Sequence, residues 1–299
     1  MASRRALGID IGGTRLRVAL VDDRGRVLAR EEVFTKAQAG PDAVIGQIVA
    51  LADLIAPDRG DIAGAGISCP GPIDTKRGLA LGIPTLAGWD NIPIAQMVGT
   101  AVSLPVQLEN DGIAAAMGEW TFGAGKGLDN IVYVTISTGV GGGVIIDGRV
   151  ARGRMGMAAH IGHMTVERDG VVCSCGNRGC WEAYASGTAF GRRIAGHAIA
   201  DLPDPKAVFA AATLGDTRAL ELVAEQADWL GIGIANLLHL YSPDVVLLGG
   251  GVANGFALLR QGIEARIATN AMPAFQAVPV RPAGLGENAG LIGAAAMFL

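Results

Sequence analysis

The sequence predicts a duplicated α/β fold, with two strand-rich halves facing each other across a cleft. Three observations predict it. A hairpin built around a glycine turn occurs between Ala6 and Asp22, and a second between Ile131 and Ile146. Strand and helix patterns alternate after each hairpin, as layered α/β domains require. Finally, 299 residues of which 50% are hydrophobic exceed the usual extent of one core, so two packed domains are expected.

In the first half, Leu7, Ile9 and Ile11 alternate before a glycine turn, and Leu16, Val18 and Leu20 alternate after it. Val27 to Thr35 reads as a third strand. Val44, Ile48, Leu51 and Ile55 recur at the three-to-four spacing of an amphipathic helix. Ile62 to Cys69 is a short buried strand ending at Pro70-Gly71-Pro72. A helix over Ile94 to Val102, a strand over Val106 to Glu109 and a helix over Asp111 to Trp120 complete the unit, which closes near residue 118. The second hairpin pairs Ile131 to Ser137 with Val144 to Ile146 through Thr138-Gly139-Val140-Gly141-Gly142-Gly143. Ala219 to Leu240 is a long helix, Asp244 to Leu248 a buried strand, and Gly249-Gly250-Gly251 a turn into a helix near Phe256. Gly290 to Leu299 is an apolar helix expected to pack back on the first half. The expected domains are therefore 1–118 plus 286–299, and 119–285.

Several function classes are disfavoured. A formal charge of -4 leaves no basic footprint for nucleic acid. No run of 18 apolar residues reads as a membrane span, and no apolar signal segment follows the arginines near the start, so a cytoplasmic protein is expected. Of four cysteines, Cys173, Cys175 and Cys180 crowd together, and without a signal peptide such clustering reads as a metal site rather than a disulfide framework.

The motifs point to phosphate chemistry. In Asp10-Ile11-Gly12-Gly13-Thr14-Arg15, bare glycine backbone lets N–H groups approach phosphate oxygens, Thr14 offers a hydroxyl, and Asp10 can hold Mg²⁺. An ordinary hairpin turn would use the same residues. A second turn at Thr138 and Gly139 strengthens the phosphate reading, because a phosphate chain clamped from both halves needs two facing loops. Gly250 and Gly251 resemble a nucleotide-side switch point, although a plain strand-to-helix turn also explains them. Leu108-Glu109-Asn110-Asp111 places a carboxylate where a strand meets a helix. Asp111 there is either a base that accepts a hydroxyl proton during phosphoryl transfer or simply a helix cap. His163, Cys173, Cys175 and Cys180 supply a closed set of four zinc ligands, which implies a structural Zn²⁺.

Together these residues resemble the ROK family of sugar kinases and sugar-responsive repressors, and especially its bacterial glucokinases. Leu7 to Thr14, Leu108 to Ala115, Val134 to Gly143 and Gly162-His163-Met164 are similar to its signatures, and Cys173-Ser174-Cys175-Gly176-Asn177-Arg178-Gly179-Cys180-Trp181-Glu182 is the most specific match. The resemblance implies a two-domain actin-like, ribonuclease H-like ATPase fold. It also implies ATP-dependent phosphorylation of a hexose 6-hydroxyl, most simply that of glucose, with Asp111 as the base. N-acetylglucosamine, N-acetylmannosamine or mannose are alternative acceptors. By the same resemblance Gly71, Asn110, His163 and Glu182 contact the sugar. Asp10, Gly12, Gly13, Thr14, Thr138, Gly139, Gly250 and Gly251 contact ATP with Mg²⁺, and a homodimer or homotetramer is expected.

Two departures lie on the sugar side. His160 stands where the family usually has glutamate, and Thr85 where it commonly has asparagine. A carboxylate accepts from two hydroxyls, whereas a neutral imidazole has one donor and one acceptor, so weakened or broadened sugar binding is expected at His160. Arg15 for the family's frequent lysine keeps the charge. The family's repressors carry a helix-turn-helix domain ahead of the phosphate motif, and only about five residues precede the first strand here. A silent sugar sensor is the remaining rival, set against the presence of Asp111 and every glycine loop. No basic run near those loops favours polyphosphate as donor.

Overall fold

A computed structural model describes residues 4–197 and 201–299. The first three residues of the expected N-terminal domain lie outside them. The first half runs β1 (Arg5–Ile11), β2 (Arg15–Asp22), β3 (Val27–Phe34), α1 (Pro41–Ile55), β4 (Ile62–Cys69), the short β5 (Ile73–Asp74) and β6 (Leu79–Ala80), α2 (Ile94–Val102), β7 (Val106–Asn110) and α3 (Asp111–Thr121). Its sheet has the order β3-β2-β1-β4-β7, antiparallel through β3, β2 and β1 and parallel from β1 to β7.

The second half runs β8 (Ile131–Ile136), β9 (Val140–Ile146), β10 (Arg149–Val150), α4 (Glu182–Ala185), α5 (Gly187–Gly196), α6 (Pro205–Thr213), α7 (Thr217–Tyr241), β11 (Val245–Gly249), α8 (Phe256–Asn270), β12 (Val280–Pro282) and α9 (Ala289–Ala296). Its sheet order, β10-β9-β8-β11-β12, reproduces the first: an antiparallel hairpin continued by parallel strands. The duplication predicted from the two hairpins is therefore present as matched sheet topology. Each sheet has its own core, Leu7, Ile9, Val18, Ile48 and Ile67 in the first and Val134, Trp181, Phe190, Leu230 and Leu248 in the second. A smaller cluster of Ala115, Ala116, Tyr133, Leu247 and Ala289 joins them.

One expectation is corrected. Gly141, Gly142 and Gly143 are not part of the second turn but lie within β9, paired in register with Thr135, Val134 and Tyr133. The reason is tertiary. A methyl group at Gly143 would fall 2.6 Å from the Ala116 Cβ, and one at Gly112 would meet the Gly142 backbone, so α3 lies directly on β9 with no side chains between. The glycine run allows close helix-on-strand packing, and the turn shrinks to Ser137, Thr138 and Gly139.

The apolar helix α9 does pack back on the first half. Its backbone rests on β1 at Gly8, on β4 at Gly66 and on α3 at Gly118, where any Cβ would collide with α9 main-chain atoms. The helices α5 and α6 and the strand β12 had no counterpart in the sequence reading. No helix among the described residues is long and apolar enough to cross a membrane.

Candidate active site

The first turn is tied from both sides. Gly12 N–H donates to the Arg15 carbonyl at 2.9 Å, and Thr35 donates its hydroxyl to the Gly12 carbonyl at 2.7 Å and its N–H to Thr14 at 3.0 Å. A methyl group at Gly13 would sit 2.7 Å from the Thr85 Cβ, so Thr85 packs against this turn. Asp10, at the end of β1, accepts a hydrogen bond from Ser68 Oγ at 2.8 Å and lies 3.5 Å from the Arg17 guanidinium. Burial raises its pKa, opposed by the Ser68 bond and by Arg17 and Arg30. A desolvated carboxylate, oriented by a hydroxyl and set at a strand end beside glycine backbone, is suited to a hard cation.

Asp111 sits where β7 runs into α3. The cap of that helix is Asn110, whose Oδ1 accepts from Gly112 N–H at 3.1 Å and Ile113 N–H at 3.4 Å. Capping is therefore assigned to the neighbour, and Asp111 is the first helical residue, its Oδ1 accepting from Gly112 N–H at 2.8 Å. Asp111 is exposed to solvent although it sits among many protein atoms. Burial pushes its pKa up to about 6; the Gly112 N–H bond and His160 pull it down, and the charge of Asp10 adds to the rise.

Gly71, Asn110 and His160, three of the predicted sugar-side residues, come together beside it. A methyl group at Gly71 would lie 3.5 Å from His160 Nε2 and 3.9 Å from Asn110 Nδ2. His160 Nδ1 is 2.9 Å from the Met157 carbonyl, which can only accept, so Nδ1 carries a proton and Nε2 is the ring nitrogen that faces Gly71. The His163 ring stacks on His160 with centroids 6.4 Å apart.

His163, Cys173, Cys175 and Cys180 offer ligand atoms that all lie within 4.8 Å of one another. Cys173 Sγ is 3.7 Å from His163 Nδ1, and Cys175 Sγ is 3.6 Å from Cys180 Sγ. Zn–S and Zn–N bonds of about 2.3 and 2.0 Å at tetrahedral angles put ligand atoms about 3.5–3.8 Å apart, so the donors fit zinc. The loop is shaped by its own backbone: Cys173 N–H donates to Asn177 at 2.8 Å and Gly176 N–H to Cys173 at 3.0 Å. Glu182 links this loop to the second turn, accepting from Val140 N–H at 3.0 Å and from Ser174 Oγ at 3.3 Å, with its carboxylate against Gly139. That turn is anchored in addition by Gly187 N–H on the Ser137 carbonyl at 2.7 Å and Thr188 Oγ1 on the Thr138 carbonyl at 2.7 Å. Gly250, with φ of +84°, lies against the Ile136 backbone, so Thr138, Gly139, Gly250 and Gly251 gather at the ends of β8 and β11.

The sequence reading missed Ser68, Glu109 and Arg152. Ser68 orients Asp10. Glu109, 1% exposed, accepts from Arg152 Nε at 2.7 Å and so ties the strand leading to Asp111 to the segment leading to His160. Burial raises the Glu109 pKa and Arg152 opposes the rise. Glu109 lies in a mixed strand, Val106–Asn110, whose residues alone do not indicate a partner at Arg152.

Residues 6–299 match the model of the ROK family. The chain belongs to the ROK family. A glucokinase of Thermotoga maritima is 35% identical, over 100% of this ROK chain and 98% of its own length. An N-acetylmannosamine kinase of Yersinia pestis is also 35% identical, over 97% of each chain. The crystal structure of a ROK glucokinase from Streptomyces griseus, in complex with glucose and AMPPNP, superposes with a TM-score of 0.84 at 35% identity, covering 98% of this chain and 99% of that one. The matched sheets are those of the two-domain actin-like ATPase fold of ROK sugar kinases.

Proposed function

We propose that this ATP-dependent sugar kinase transfers the γ-phosphoryl group of ATP to the 6-hydroxyl of a hexose, glucose first, with Asp111 as general base. The observation that carries the reading is Asp111 itself: a carboxylate relieved of capping by Asn110, with proton affinity raised to about 6, beside Gly71, Asn110 and His160. A base with that affinity is ionised at neutral pH and strong enough to take a hydroxyl proton. As Asp111 accepts that proton, the sugar oxygen forms a bond to the γ-phosphorus, the bond to the β,γ-bridging oxygen breaks, and ADP leaves with the electron pair.

Gly71, Asn110, His160, His163 and Glu182 are assigned to the sugar. Gly12, Gly13, Thr14, Thr138, Gly139, Gly250 and Gly251 are assigned to ATP, and Asp10 would hold Mg²⁺, which neutralises phosphate charge when bound. His163, Cys173, Cys175 and Cys180 would hold one structural Zn²⁺ that stiffens the loop bearing Glu182. The domains, 1–118 plus 286–299 and 119–285, would close over the sugar, in a cytoplasmic homo-oligomer. An N-acetylhexosamine is the second reading, supported by equal identity to an N-acetylmannosamine kinase and by His160 in the pocket.

The test is an ADP-release assay with ATP and Mg²⁺ against hexoses and N-acetylhexosamines, run beside Asp111→Ala. Glucose turnover that the variant loses supports the proposal. Turnover of an N-acetylhexosamine alone moves the acceptor, and sugar binding without turnover would mean a sensor.

A further inference from the structure

We propose that Glu119 is a positioning residue that sets the hinge between the two halves. The chain crosses between the sheets twice, from α3 to β8 and from β12 to α9. Both crossings are fastened to this one carboxylate. Oε2 accepts from Ala124 N–H at 2.9 Å on the first crossing and from Gly284 N–H at 2.9 Å on the second, and Oε1 accepts from Leu285 N–H at 2.7 Å. The Glu119 carbonyl also accepts from Gly123 N–H at 3.1 Å and Gly125 N–H at 3.0 Å.

Glu119 is 0% exposed, and among the described residues no lysine or arginine pairs with it. Its two oxygens accept from three backbone amides on the two crossings, so a single buried side chain holds both segments. Two segments tied to the same rigid point cannot swing independently. The contact also sits at the ridge where α3 meets α9, since a methyl group at Gly118 would lie 2.6 Å from the Ala289 carbonyl. Glu119 does not belong to the phosphate, sugar or metal groups described above, so it acts through the angle at which the halves present them.

The inference rests on closure of a sugar kinase, and the test separates the two. Glu119→Gln keeps one oxygen for Ala124 and Gly284 but turns an NH₂ group on Leu285 N–H, donor against donor, and so releases the second crossing. If the closed, competent fraction falls to about a tenth, the apparent sugar KM rises about tenfold while kcat at saturation stays within about threefold. Amide exchange at Leu285, slow in the wild type, becomes fast. Gly284→Ala, whose added methyl lies 3.2 Å from Ala124 N, perturbs the same clamp if the glutamine variant does not fold, and the same KM rise is expected. An unchanged KM with only a lowered Tm would reduce Glu119 to a structural residue and overturn the proposal. The exchange measurement needs no turnover: if Leu285 exchanges equally slowly in wild type and variant, the clamp is wrong whatever sugar the enzyme uses.

Discussion

Replacing Asp111 by asparagine should cost activity and add stability, in opposite directions and over a defined pH range. Burial lifts the carboxyl from its ordinary 3.8 to about 6. The folded state therefore binds the proton more tightly than the unfolded chain, and the ionised form opposes folding. At ~1.4 kcal/mol per tenfold in proton affinity, this amounts to ~3 kcal/mol at most. Because Asp111 is exposed to water, screening leaves ~1–1.5 kcal/mol. That penalty is fully present above pH 6 and is relieved as pH falls from 6 toward 3.8. Asparagine keeps the Gly112 bond without the charge, so at pH 8 the variant should be ~1–1.5 kcal/mol more stable in chemical unfolding, and the gap should close near pH 4. Turnover in the ADP-release assay should fall ~10²–10⁴-fold, and wild-type kcat/KM should lose activity below about pH 6 with unit slope. Turnover retained within tenfold, or a variant less stable than wild type at pH 8, would refute the assignment of a base with a raised pKa.

His160→Glu removes a group that lowers the Asp111 pKa and adds a negative charge, so the acid limb of the pH profile should move up by about one unit. Michaelis constants across hexoses should change with it, and constants that do not move would count against a sugar-side role for His160. Metal analysis of the purified protein should find about one zinc per chain, and both a strong chelator and Cys175→Ser should lower Tm. Gly293→Ala should destabilise by ~3 kcal/mol or more in denaturant titration, because the new methyl would enter the Ala114 carbonyl.

The sequence made the hairpins, α1, α7, α8 and the zinc loop legible because each is specified locally, by alternation, by helical spacing or by ligand spacing. It misled at Gly141 to Gly143, where glycine signals a turn by local preference but is required by the helix lying on the strand. It left α6 unread because four of the nine residues from Pro205 to Thr213 are alanine, whose apolar stripe is shallow. At the site, Asp111 was identified as a candidate, but its freedom from capping depends on the Asn110 side chain, a geometry that two adjacent polar residues do not encode. Ser68, Glu109 and Glu119 were invisible for a related reason: each matters through a partner, Asp10, Arg152 or Leu285, that is distant in sequence or on another element.

The seating of α9 bears on how the chain reaches its native state. Gly8 on β1 and Gly66 on β4 are covered by α9 main chain, so one face of the first sheet is finished only by a segment beginning at Ala289. Contacts of such long sequence separation pay their loop-closure entropy before they return any stability, which makes them slow. During synthesis that apolar face must wait, uncovered, until the second half has been made. Demand for chaperones should accordingly be concentrated on this sheet rather than on the second core, whose members lie between Val132 and Val280.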